Sequence, residues 1–195
     1  MNYLEQPLGG FLDSVASGEP APSGGGAAAV AVALAAGLAG MSARLSADHL
    51  DDAARLAERA DHLRQRVAPL AQEDASAYGR VLAAYRAPDD GGDPEVRRER
   101  IQRALSGAAD VPLAIAEAGA EVAEIAARLA REGNPNLMGD AVAAALLAEA
   151  GVRAAEVLVR INTAAGGIFD DRLGRASELA ARAGAAARRA VEGEG

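Results

Sequence analysis

The chain has 195 residues, a formal net charge of −8, 50% apolar residues and no cysteine. All 20 of its basic residues are arginine, which excludes a lysine nucleophile or Schiff base, and the lack of cysteine excludes disulfides, thiolate chemistry and thiolate-bound zinc. An acidic balance with no concentrated basic run argues against a nucleic-acid partner.

Fifty-two residues are alanine and only 3% are aromatic. Alanine is the best helix former, and a core poor in large side chains must close by bringing backbones together. The expectation is an all-α chain, one domain over 1–195, folded as a bundle of five or six helices around a buried Ala/Gly-rich central helix. No strand alternation and no fixed repeat interrupts that reading.

In chain order, MNYLEQPLGGFLD has neither the basic start nor the long apolar run of a signal peptide. Next comes PAPSGGGAAAVAVALAAGLAGM, a Pro/Gly turn leading into a helix from about Gly25 to Arg44. From Ala27 to Ala43 only Ser42 is polar, yet so short a stretch of alanine and glycine reads as a buried core helix rather than a membrane span. A second helix is expected from near Ser46, with Leu56, Ala60, Leu63, Val67, Leu70, Asp74, Ala77, Val81 and Ala84 on one face and a kink at Pro69. The segment APDDGGDP reads as an exposed turn, with Asp93 as N-cap and Pro94 opening the next helix. That helix runs to a stop at Gly133, with Pro112 marking a kink or break. A loop from Asn134 to Asp140 follows, with Asp140 capping a helix from Ala141 to about Asn162. Along it, Glu149, Arg153, Glu156 and Arg160 form a charge ladder that suits a solvated face or a subunit contact. The final helix spans about Leu173 to Val191, with 190–195 as a frayed tail.

Asp74 is the most informative polar position, because a carboxylate on an apolar stripe is costly to ionise. It suits a general acid or base; alternatively an arginine from another helix pairs with it, or the Pro69 kink turns it to solvent. Gly24, Gly25 and Gly26 either offer backbone N–H groups to an anion or let two helices meet closely. Asn134, Asn136 and Asp140 read either as a polar ligand site or as turn and capping chemistry. His49 and His62 lie thirteen residues apart, which does not set them on one helical face with a third ligand, so no metal site is expected.

Read in order, these motifs resemble the cyclodeaminase/cyclohydrolase family of folate enzymes, the C-terminal domain of formiminotransferase-cyclodeaminase and its stand-alone bacterial relatives. The resemblance runs from about Phe11 to Asp170 through EPAPSGGGAAAV, EDASAY, ADVPLAIAEAG with GNPNLMGD, and LVRIN. It implies Asp74 as the proton acceptor, with Ser23, Gly24, Gly25, Gly26, Asn134, Asn136, Asp140 and Asn162 holding the substrate. It also implies a homodimer whose only small-molecule partner is a tetrahydrofolate derivative, with no further cofactor; the lack of cysteine fits the cytoplasm, and composition argues against a nucleic-acid or membrane partner. Two reactions fit one proton shuttle: cyclodeamination of 5-formiminotetrahydrofolate, or hydrolysis of the methenyl bridge. Departures stand beside the likeness. Ser23 and Gly26 exchange the family's usual glycine and serine, Gly139 replaces a serine and Leu158 an asparagine, and an acidic SADHLDDA stands where relatives carry lysines. Arg44 or Arg55 are the candidates to replace those lysines, and a helical protein that kept the fold without the activity is the competing reading.

Overall fold

The computed structural model describes residues 2–87 and 94–193. Six long helices form the bundle: α2 (Gly24–Arg44), α3 (Ala53–Val67), α4 (Leu70–Arg86), α5 (Pro94–Glu132), α6 (Met138–Gly166) and α7 (Arg172–Glu192), preceded by a short α1 (Leu8–Ala16). Single 3₁₀ turns occupy Tyr3–Glu5 and Pro135–Leu137, and no strand occurs among the described residues. The all-helical architecture expected from the alanine content is therefore the observed one.

Helix α2 is the centre, packed by α3, α4, α5 and α6. Val32, Ala35, Ala36 and Ala39 are wholly buried, and 56% of the helix's most apolar window lies inside the fold. It is long and apolar enough to cross a bilayer by length and composition, but it occupies the position of a bundle core. Neighbouring helices approach it through glycine. A Cβ at Gly119 of α5 would sit 2.5 Å from Val152 Cγ2 and 3.1 Å from Val32 Cγ2. One at Gly151 of α6 would sit 2.5 Å from Val32 Cγ2 and 3.2 Å from the Ala28 carbonyl oxygen.

Several boundaries differ from expectation, each for a local reason. Residues 45–52 form turns and α3 starts at Ala53, with Asp52 just before it accepting two hydrogen bonds of 2.8 and 2.9 Å from Arg128 of α5. Pro69 does not merely kink one helix: α3 ends at Val67 and α4 begins at Leu70. Pro112 breaks nothing, since α5 runs through it for 39 residues. Asp140 is no cap, because the 3₁₀ turn at Pro135–Leu137 leads into α6 at Met138 and leaves Asp140 in its first turn. Helix α6 continues past Asn162 to Gly166, where Gly167 at φ 60° ends it. Helix α7 extends through Glu192 with Ala190 buried, so order persists beyond position 190. The Asp93 cap lies outside the described residues.

The close approach to Val32 makes Gly119 and Gly151 intolerant of added volume. Gly151→Ala should lower unfolding stability by ~1–3 kcal/mol in a denaturant titration. Gly79 faces open space in exposed helix, so Gly79→Ala in the same assay should raise stability by ~0.5–1 kcal/mol.

Candidate active site

A cavity of about 260 Å³ opens at the N-terminal end of α2. Ser23 and Gly24 form its floor, α4 supplies Asp74 and Tyr78, α5 supplies Ala108, and α6 supplies Leu158, Ile161 and Asn162.

Asp74 is seated directly over the first turn of α2. Its Oδ2 accepts a hydrogen bond from Ser23 Oγ at 3.0 Å, and the Gly26 backbone N–H donates to the same carboxylate. Gly25 makes the seat possible: a Cβ there would lie 2.0 Å from Asp74 Oδ1. Of the two readings of the glycine run, close approach holds for Gly25 and N–H donation for Gly26. The anion they serve is the protein's own carboxylate.

Burial pushes the Asp74 carboxyl above its ordinary range, while the bonds from Ser23 and Gly26 pull the other way without cancelling it. No arginine pairs with it among the described residues, and it is half-buried rather than turned to solvent. Both structural alternatives for Asp74 are thereby replaced by a third arrangement, a hydroxyl and an N–H without a counter-cation. Such a group takes and returns protons more readily than a salt-bridged one. Tyr3 lies nearby, its phenol pushed up by its own burial and then by the Asp74 charge.

Asn162 reaches the cavity through an unusual bond. Pro112 has no N–H, so the carbonyl of Ala108, four residues earlier, loses its helical donor. Asn162 Nδ2 supplies the replacement at 2.9 Å. The VPL and LVRIN motifs are thus the two ends of one hydrogen bond across the cavity floor.

The Asn134–Asp140 turn lies elsewhere. Asn134 N–H donates to Ser46 Oγ at 2.9 Å and its Nδ2 to the Leu45 carbonyl at 3.0 Å, while its Oδ1 accepts from the Asn136 N–H. These bonds tie the turn to the C-terminal end of α2, ~30 Å from the N-terminal end where Asp74 sits. Within one chain, Asn134, Asn136 and Asp140 therefore do not share the cavity with Ser23, Asp74 and Asn162. Arg44 and Arg55 do not serve it either, being paired with Asp61 and Asp52.

Tyr78 and Ile161 were missed as cavity residues. Both had a local signal: Tyr78 is one helical turn from Asp74, and Ile161 adjoins Asn162. Leu158, noted only as a departure, is part of the wall.

The sequence model for formiminotransferase-cyclodeaminase matches residues 7–175. The chain belongs to the formiminotransferase-cyclodeaminase family. It is 36% identical over 194 residues to a methenyltetrahydrofolate cyclohydrolase of Methylorubrum extorquens, covering 93% of this chain and 92% of that one. It is 33% identical over 170 residues to the mouse formimidoyltransferase-cyclodeaminase, covering 83% of this chain but 31% of the much longer mouse protein. Among solved structures, a formiminotetrahydrofolate cyclodeaminase from Thermotoga maritima superposes with a TM-score of 0.85 at 28% identity, covering 97% of this chain and 96% of that one.

Because any side chain at position 25 must displace the carboxylate, Gly25→Ala should cut catalytic turnover by about 10²-fold or more. The far-ultraviolet circular dichroism of the variant should remain helical, since the clash is with one side chain rather than with a helix backbone.

Proposed function

We propose that this protein is a folate one-carbon enzyme that closes or opens the bridge between N5 and N10 of tetrahydrofolate, with cyclodeamination of 5-formiminotetrahydrofolate as its reaction. The observation that carries the reading is Asp74, raised in pKa, held by Ser23 and Gly26 and facing a cavity. In that reaction N10 attacks the formimino carbon and a new N10–C bond forms. Asp74 takes the N10 proton and returns it to the amino group on the same carbon, whereupon the C–N bond breaks and ammonia leaves. Tyr78 and Ile161 flank the reacting ring, and Asn162 orients it from the floor.

The Methylorubrum relative, similar over nearly the whole chain, favours a second reading, hydrolysis of the methenyl bridge with Asp74 taking the proton of the attacking water. Purified protein supplied with 5-formiminotetrahydrofolate should generate the methenyl absorbance together with stoichiometric ammonia. Supplied with 5,10-methenyltetrahydrofolate it should leave that absorbance unchanged; its loss would assign the hydrolytic reaction instead. Silence in both assays, with no thermal protection by either folate, supports the inactive-homologue reading.

Asp74→Asn should lower kcat by about 10²-fold or more. The stability effect has the opposite sign. A carboxyl whose folded pKa lies above its unfolded value costs stability once pH rises past the unfolded value, and the cost is fully developed above the folded one. The amide variant escapes that cost, so at pH 7 its melting temperature should equal or exceed wild type, and the gap should close as both are taken below pH 4.

The same reading includes a homodimer. Helices α2 and α6 lie antiparallel, and they expose Leu34 (57%) on α2 and Leu146 (45%), Leu147 and Ile161 (54%) on α6. Of the charge ladder, Glu156 turns to α7, accepting from Ser177, while Arg153, two turns from Leu146 and paired with Glu149, edges this face. An exposed apolar patch on two adjacent helices fits a second copy of itself in a two-fold pairing. In such a pairing Asn134, Asn136 and Asp140 of one copy serve the Asp74 cavity of the other. Light scattering should give twice the 19.6 kDa chain mass. Leu34→Glu with Leu146→Glu should yield a folded monomer with lost turnover.

A further inference from the structure

The cavity at Asp74, about 260 Å³, falls below the ~300–1,000 Å³ of pockets that enclose a whole drug-sized ligand. It accommodates a reacting ring and leaves the rest of a folate outside. It also contains no cation, whereas a folate ends in carboxylates. The fold continues the cavity in one direction.

Ala108, at the bottom, lies on the same face of α5 as Ala104, Ile101, Arg97 and Arg98, at helical steps toward the N-terminus. Beside that face, α6 continues from Ile161 to Ala164 and Ala165, both exposed and small. A hollow of about 430 Å³ is lined by Arg97, Arg98, Ile101 and Gln102 of α5 and by Ala164 and Ala165 of α6. Helix α4 gives Tyr78 to the Asp74 cavity and, two turns on along the same helix face, exposes Tyr85. The two hollows share no lining residue but follow one another along one face of α5, with Ala104 between Ala108 of the first and Ile101 of the second, and that face is the track of a groove.

We propose that this groove is the subsite for the p-aminobenzoyl-glutamate tail of the substrate, with Arg97 and Arg98 binding its carboxylates. The inference rests on the folate reading above and names where that substrate's negative charge is held. The dimensions agree: Ala108 to Arg97 is ~16 Å along α5. Bond lengths give about 10 Å from the reacting nitrogen to the first glutamate carboxylate, and the arginine side chains span the remainder. The aryl ring lies over small residues between Tyr78 and Tyr85, where offset stacking is available. Guanidinium groups bind carboxylates through paired N–H donors, and the first turn of α5 adds its own dipole.

Among the described residues the two arginines find little that holds them. Arg98 meets Glu95 at 4.0 Å with both side chains largely exposed, a contact that exchanges readily for a ligand. No carboxylate lies within ion-pair distance of Arg97 among the described residues. The positive charge missing from the acidic SADHLDDA turn is supplied at the other end of the molecule.

The test uses the intact protein and p-aminobenzoyl-triglutamate, a tail without a pterin, in calorimetric titration beside steady-state kinetics. Wild type should bind the probe, and Arg97→Ala/Arg98→Ala should weaken that binding at least tenfold and raise the folate KM at least tenfold, with kcat changed less than threefold. Arg97→Lys/Arg98→Lys, which keeps charge and stem, should recover most of the loss and guards against a folding defect in the alanine variant. Wild-type binding should weaken as salt is raised. If wild type turns over folate but neither probe binding nor KM responds to the arginines, the subsite is wrong and the activity reading stands. If there is no turnover while the probe binds in an arginine-dependent way, the activity reading is wrong and the anion subsite stands. Absence of both overturns the two together.

Discussion

The structure depends on how closely α2 is approached by its neighbours. Val32 is fully buried between Gly119 of α5 and Gly151 of α6, positions where any Cβ would collide with it or with its valine neighbour. Because glycine and alanine meet across these contacts, backbone packs almost directly on backbone. One long helix is thereby enclosed by four others, and its first turn comes to lie beneath α4. With bulkier residues α2 would be displaced, and Gly25 and Gly26 would no longer reach Asp74.

The polar skeleton follows from backbone groups that proline or a helix end leaves without partners. Pro112 strips the Ala108 carbonyl of its donor, and Asn162 provides one. The end of α2 exposes the Leu45 carbonyl, which Asn134 caps, while Ser46 Oγ donates to the Ser42 carbonyl and accepts from the Asn134 N–H. Each repair ties segments far apart in sequence. One of them also fixes an amide in the lining of the cavity, so a structural need and a functional position are met by the same side chain.

Charge is partitioned in the same spirit. Arginine and carboxylate pairs fasten the outer surfaces, as with Arg59 and Glu121, Arg128 and Asp52, and Arg182 and Glu124. Asp74 is given a hydroxyl and an N–H instead of a guanidinium. An arginine beside it would hold the carboxyl ionised and make it a feeble base. Leaving it without a cation keeps its proton exchangeable, at some expense in stability.

Much of this was legible in the sequence, and the physical reasons separate what was from what was not. Alanine content and helical period determined the all-α class, the central helix and most helix spans, because propensity and amphipathic spacing are local properties. Asp74 stood out for the same reason, a charge interrupting an apolar stripe. Positions that depend on a neighbour across space were decided only by the tertiary structure. Asn134, Asn136 and Asp140 look like cavity residues when motifs are read in order, yet a helix of 21 residues carries them to the opposite end of α2. Likewise the sequence shows Pro112 and Asn162 as separate motifs, and only packing reveals that one supplies the hydrogen bond the other removes. Sequence determines which groups are present and how they repeat along a helix; the ends at which antiparallel helices meet determine which of them share a site.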